Sequence, residues 1–316
     1  MKVRVILYGA LAGAIGGAVG WLPGELAAIP RPTEAALRYM LIALYFVVVG
    51  ACIGAAIGSL DGVVNGVRSR AVQGGRMGAL LGLAGGAVGS LPGEGTFEVL
   101  SAVNLGLVGR AIGWAIVGVF IGVSQGLITR DRARMVRGGL GGLLGGYLGG
   151  GFFEMVSLTM ARGSGSRWIA VVILGAFLGA FIAFFQEWLA EAWLVVVSSG
   201  RQEGQKYNLT KGETVLGRGD RDDFILYAGE GVVPRHALIV RRETGHWIQA
   251  ISPEHPISVD KQPVSGEQRL RHGSETALGG MALRYHEQTA KCPQCGKENP
   301  IRAKFCPGCG KQLVVK

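Results

Sequence analysis

The sequence predicts a multidomain chain: an α-helical membrane bundle of about six helices in three hairpin repeats, then an all-β sandwich, then a small four-cysteine ribbon. Three observations carry this. Of the 54 glycines in 316 residues, 39 precede residue 200, where only 14 Lys/Arg and 9 Asp/Glu occur. So few charges cannot coat a soluble surface. After residue 200 the composition changes to short β-type runs divided by turn residues. Four of the five cysteines then cluster near the end of the chain. The expected boundaries are 1–199, 200–288 and 289–316. The net charge of +10 divides evenly at residue 200, so no single strongly basic domain is present and nucleic-acid binding is not expected.

The first region contains uncharged apolar stretches of spanning length, such as Met40–Leu60 and Trp168–Phe185. About 20 such residues cross a bilayer as a helix. The opening Met1-Lys-Val-Arg and its apolar run also fit a signal peptide. The pattern recurs later, which assigns it to the fold instead. Gly17-Ala-Val-Gly-Trp-Leu-Pro-Gly-Glu25 returns as Gly86-Ala-Val-Gly-Ser-Leu-Pro-Gly-Glu94, and in weaker form over Gly146 to Glu154. Ile57, Asp61, Arg70 and Gly74 match Ile121, Gln125, Arg134 and Gly138 at one constant offset, with a third version through Ile182 and Gln186. The expected helices are 5–22, 37–60, 75–91, 103–128, 138–160 and 168–197. Glycines four apart, as at Gly50, Gly54, Gly58 and Gly62, resemble a glycine zipper. Such a stripe lets helix backbones approach closely in lipid. It also offers a surface for homo-oligomer formation.

Lys/Arg in the short connections number 11 on the side of Lys2, Arg4, Arg68 and Arg134, against 5 on the side of Arg31, Arg38, Arg110, Arg162 and Arg167. This asymmetry places both termini in the cytoplasm and the chain in the cell inner membrane. Glu25, Glu94 and Glu154 hold equivalent repeat positions. They are expected as solvated residues at the outer helix ends, with Arg110 snorkelling to the interface. A proton or cation path along them is the alternative. Cys52 is expected to pack within a helix.

Beyond residue 200, runs such as Asp223-Phe-Ile-Leu-Tyr227, His236-Ala-Leu-Ile-Val240 and His246-Trp-Ile-Gln-Ala-Ile251 predict about ten short strands of a sandwich. Leu216-Gly-Arg-Gly219, Val233-Pro-Arg-His236, Leu270-Arg-His-Gly273 and Ala277-Leu-Gly279 occur in the order found in forkhead-associated (FHA) domains. The segment 205–287 resembles that family, an eleven-stranded sandwich whose end loops bind phosphothreonine peptides. The resemblance implies that Arg218 contacts phosphate and that His236 braces the loop. It also exposes two departures: Val233 replaces a serine, and His255-Pro256 stands at the family's Asn-Gly. Valine cannot donate a hydrogen bond; Arg235 and His255 are the candidate replacement donors. A degenerate domain that binds unphosphorylated protein is the alternative. No nucleophile constellation surrounds the five histidines, so no enzyme is expected.

Cys292-Pro-Gln-Cys295-Gly and Cys306-Pro-Gly-Cys309-Gly form two tight knuckles, each aiming two thiolates inward. Four thiolates close a tetrahedral structural zinc site and leave no open position for catalysis. Paired disulfides need an oxidising compartment, which disagrees with a cytoplasmic C-terminus. The whole predicts a membrane-anchored binding or scaffold protein that docks a phosphorylated, or unphosphorylated, cytoplasmic protein partner. A channel or transporter regulated by the same modules is the rival.

Overall fold

The computed structural model describes residues 2–26, 35–127, 131–160, 164–200, 202–220, 222–227, 229–242, 245–300, 305–306 and 308–313. Arg31 and Arg162 of the five and Arg130 and Arg201 of the eleven cations in the charge asymmetry lie outside them. The chain forms two compact units, Met1–Leu189 and Ala190–Lys316.

Unit one consists of helices α1 (Lys2–Leu26), α2 (Ala35–Val64), α3 (Arg68–Ser101), α4 (Gly106–Leu127), α5 (Arg132–Thr159) and α6 (Ser164–Trp188). Each packs on the next, and α6 packs back on α1, so the three hairpins close into a ring. The centre is apolar and filled. Ile57, Ile121 and Ile182, the repeat equivalents, form one layer at 0–4% exposure; Ile53, Val117 and Leu178 form the next at 0%. Phe46 stacks on Trp114 at 4.2 Å between ring centroids.

The odd-numbered helices turn a glycine ridge toward each neighbour. A Cβ added at Gly78 of α3 would collide with the Gly54 carbonyl oxygen of α2, whereas one at Gly89, on the other ridge, would meet the Gly113 carbonyl of α4 at 2.7 Å. Backbones this close leave no room for a side chain. Among the described residues, four helices are long and apolar enough to cross a membrane: α1, α2, α4 and α6. The other two, of 34 and 28 residues, are diluted by glycine and by charges such as Arg68, Arg70, Arg76 and Glu98 in α3.

Several expectations are corrected. The helix expected from residue 75 starts at Arg68, and α1 and α3 continue through Pro23 and Pro92. In α3 the Thr96 hydroxyl donates to the Pro92 carbonyl at 2.5 Å, one turn beyond the proline. Glu94 and Glu154 are buried rather than solvated, and Arg110 turns toward them instead of the interface. The side chain of Glu25 lies outside the described residues. The helix expected to reach residue 197 stops at Trp188, and the sandwich begins well before residue 200.

Unit two contains β1 (Ala192–Val196), β2 (Lys206–Asn208), β3 (Glu213–Gly217), β4 (Phe224–Ile225), β5 (Ala237–Arg242), β6 (Gly245–Ala250), β7 (Ile257–Val259), β8 (Gln262–Pro263), β9 (Glu267–Arg269), β10 (Glu275–Leu278) and β11 (Met281–Glu287). They form two sheets, ordered β2-β1-β11-β10-β7-β8 and β4-β3-β5-β6-β9. Alternate residues point inward, as Leu194, Ile239, Ile248, Leu283 and Tyr285 do, and make one core. A separate hairpin, β12 (Thr289–Lys291) with β13 (Glu298–Pro300), follows.

Pairing fixes which loops share an end. Leu216 pairs with Ala237, Ala237 with Ala250, Ile257 with Leu278, and Leu278 with Met281. The described residues of loops 218–223, 226–236 and 251–256 therefore gather at one end of the sandwich. At the other end Ala192 pairs with Glu287. There the Gln288 amide donates to the Glu191 carbonyl at 2.7 Å and Arg241 pairs with Glu191 at 2.7 Å. Chain entry and exit are thus tied together, away from the loop end.

Candidate phosphopeptide loops and metal centre

The loop end is assembled around Asp222, which is 3% exposed. Its Oδ2 accepts the Gly219 amide at 2.8 Å and the Arg235 amide at 2.9 Å. One carboxylate oxygen thereby holds the loop after β3 against the loop before β5. The Arg218 amide reinforces this by donating to the Val233 carbonyl at 3.1 Å. At the crossing, a Cβ on Gly217 would strike Asp222 Oδ2 and approach the Arg235 nitrogen to 2.6 Å. Only glycine fits there.

Arg218 and Arg235 are both exposed, and among the described residues neither guanidinium makes an ion pair. Arg235 adopts φ of 52°, a left-handed conformation that costs a non-glycine residue energy. The Asp222 hydrogen bond holds it in place. Val233 is half-buried; its amide donates to His236 Nδ1 at 3.3 Å. That bond assigns Nδ1 as acceptor and puts the proton of neutral His236 on Nε2. The His236 carbonyl accepts the Ile251 amide at 3.1 Å. Burial, followed by the neighbouring His255 charge, lowers the pKa of His236 below the ordinary histidine value. The two imidazoles lie 5.8 Å apart.

The structure thus brings together all five residues singled out in the sequence: Arg218, Val233, Arg235, His236 and His255. Asp222 was not among them. Its signal was an Asp three residues after Gly219 inside a turn, a spacing that allows a side-chain oxygen to close the loop.

The cysteine knuckles repeat the same backbone. Gly296 donates to the Cys292 carbonyl and Cys292 to that of Lys297; Gly310 donates to Cys306 and Cys306 to Lys311. Gly296 and Gly310 have φ of 72° and 71°, so each knuckle needs its glycine. The four Sγ atoms lie within 4.8 Å of one another, with Cys292 to Cys309 at 3.6 Å and Cys295 to Cys306 at 3.5 Å. Sulfurs around a tetrahedral zinc sit about 3.8 Å apart, given Zn–S near 2.3 Å. The cluster therefore fits such an ion. Burial alone would raise the Cys306 thiol, but the Gly308 and Cys309 amides outweigh it and bring it down to about 6. At Cys309 the Lys311 amide alone would lower the thiol, but burial and the three neighbouring sulfurs outweigh it and push it up to about 12. Thiolate is the ligand form.

Two family profiles match the second unit. The FHA domain profile matches residues 214–279 and the zinc-ribbon profile residues 291–313. No curated protein matches the chain. Among solved structures, an FhaA FHA domain complexed with the intracellular domain of Rv3910 is 24% identical, covering 30% of this chain and 99% of that one at a TM-score of 0.27. The FHA domain of CT664 from Chlamydia trachomatis is 17% identical, covering 31% and 98% at 0.29. The cytoplasmic domain of the sorting platform protein PscD from P. aeruginosa is 17% identical, covering 34% and 90% at 0.29. Behind a helical unit with four membrane-length apolar helices, the chain carries an FHA domain and a C-terminal zinc ribbon.

Proposed function

We propose that this protein is a membrane-anchored binding protein that docks a phosphothreonine-bearing partner at the loop end of its FHA domain. The observation that carries the reading is the pair of exposed guanidiniums, Arg218 and Arg235, on loops joined through one buried carboxylate. A phosphate carries about −1.5 to −2 charge and three acceptor oxygens. Two preset guanidiniums suit it. His255, half-buried beside His236, supplies a further donor where Val233 has none. The zinc ribbon, with zinc held by Cys292, Cys295, Cys306 and Cys309, is a folding element of the tail rather than a reaction centre.

In this reading all six helices belong to the membrane domain, in the inner membrane, with both termini cytoplasmic. The Lys/Arg asymmetry supports that orientation. The filled apolar centre of unit one favours anchoring over the channel or transporter reading. The test is an affinity capture with residues 190–316 from lysate treated or untreated with phosphatase, beside Arg218→Ala. The reading expects partners that disappear with phosphatase and with the substitution. Partners indifferent to both would favour a phospho-independent scaffold.

A further inference from the structure

Two histidines stand at the loop end of the sandwich, and the fold gives them different surroundings. His236 is 1% exposed, and its Nδ1 accepts the Val233 amide at 3.3 Å. His255 is half-buried, and among the described residues its ring nitrogens make no hydrogen bond. Its ring lies 5.8 Å from that of His236, tilted by 41°.

A proton has opposite consequences at the two rings. On His236 Nδ1 it would set a donor against the Val233 amide and undo the brace. Burial, then the His255 charge, hold His236 neutral against the pull of the Pro256 carbonyl. On His255 a proton breaks no described bond and gives a cation with two donors. Two imidazolium charges this close oppose each other. The outer ring therefore takes the proton and the buried brace stays neutral.

The neighbouring charges decide when that happens. Arg218 and Arg235 are exposed cations on the adjoining loops. Among the acids, Asp222 is occupied by the Gly219 and Arg235 amides, and Asp223 pairs with Lys211. Asp220, Glu230 and Glu254 are exposed to water, and Arg221 lies outside the described residues. With the site empty, two guanidiniums oppose a third cation. A phosphate of about −1.5 to −2 charge reverses that balance. Proton and phosphate then favour each other, and linkage makes the gain reciprocal. An asparagine at position 255 would donate equally at every pH.

Resting on the docking of a phosphothreonine partner at this end, we propose that His255 makes that docking pH-dependent. Its imidazolium, rather than its neutral ring, completes the cationic cradle with Arg218 and Arg235, so the partner is held more tightly at mildly acidic pH. An imidazole ordinarily takes its proton near about pH 6.5. The phosphate takes its own second proton near about pH 6 and loses charge. Affinity therefore peaks between about pH 6 and 7.

The test uses the full chain in lipid nanodiscs and a rhodamine-labelled pool of phosphothreonine peptides, with the unphosphorylated pool as blank. Fluorescence anisotropy reads affinity from about pH 8 to 5.5 for wild type, His255→Asn and His236→Asn, and tryptophan fluorescence confirms the fold at each pH. The titration of the phosphate is common to all and cancels in their ratios. If bound phosphate makes His255 hold its proton about tenfold more tightly, the ratio of wild-type to His255→Asn affinity rises about fourfold between pH 8 and 6.5. His236→Asn should keep the wild-type slope over that range, whatever its affinity. Should His255→Asn fail to fold, His255→Gln supplies the same neutral donor. Parallel profiles for wild type and His255→Asn overturn the proposal and leave the docking reading standing. So does a slope that persists in His255→Asn and vanishes in His236→Asn. A wild type that binds no phosphothreonine peptide at any pH overturns the docking reading and this proposal with it.

Discussion

Asp222→Ala is expected to unlock both phosphate-facing loops at once. The single Oδ2 accepts two amides at 2.8 and 2.9 Å from a site 3% exposed. A hydrogen bond to a charged group contributes about 1.5–3 kcal/mol, so the pair contributes about 3–6. That figure is already net of the bonds the amides of Gly219 and Arg235 would make to water, so the expected loss is about 3–6 kcal/mol. Asp222→Asn keeps an oxygen in the same place but without the charge. Neutral bonds contribute about 0.5–1.5 kcal/mol each, so Asn should lose roughly half as much as Ala. Urea denaturation of residues 190–316 with zinc present, followed by the fluorescence of Trp193 and Trp247, reads the difference as a shift in midpoint at constant slope. Phosphopeptide affinity should fall in the same order, because the bond also holds Arg235 at φ of 52°. A loss under about 1 kcal/mol for Ala, or an equal loss for Ala and Asn, would refute the assignment of a charged tie.

Four other outcomes are expected. Gly78→Ala should lower the melting temperature of the full chain in detergent, since its Cβ meets a backbone carbonyl and overpacking costs about 1–3 kcal/mol. Gly75→Ala, on the same helix with ordinary contacts of 3.5 and 3.6 Å, should be tolerated. The lowered pKa of His236 means that the unfolded chain binds more protons below about pH 6.5, so the sandwich loses stability as pH falls through that value. His236→Asn, which can still accept the Val233 amide, should flatten the slope between pH 7.5 and 5.5. Cys306→Ser should lower bound zinc from one equivalent to below about half by elemental analysis and free the β12–β13 hairpin to exchange. A reporter fused at Lys316 should be inactive in the periplasm, and activity there would reverse the orientation.

What the sequence disclosed is what short-range chemistry encodes. The cysteine knuckles are local, since Gly296 and Gly310 each close a turn within five residues. The FHA loops are nearly so: Arg218, Val233, Arg235 and His236 were singled out through the resemblance of their short motifs to FHA domains. Asp222 was harder to find, because half of its role is a bond to Arg235, thirteen residues on. Ala192-Trp-Leu-Val-Val196 was read as the tail of a helix, since a five-residue apolar run carries no periodicity to separate helix from strand. Only its pairing with β11 settles the question. Glu94, Arg110 and Glu154 sit at helix ends in sequence, where solvation is the usual state. The ring brings them together across two hairpins, and no local pattern announces that.

The central claim is that Arg218 sits where a phosphothreonine docks. Calorimetric titration of residues 190–316 with a phosphothreonine peptide library, wild type beside Arg218→Ala, tests it most directly. A guanidinium–phosphate contact at the upper end of about 1.5–3 kcal/mol corresponds to roughly ten- to a hundredfold in affinity. The account predicts that wild type binds phosphorylated and not unphosphorylated peptides, and that Arg218→Ala weakens binding by that factor with the sandwich still folded. Equal binding by wild type and Arg218→Ala, or no phosphopeptide bound by wild type, would contradict it.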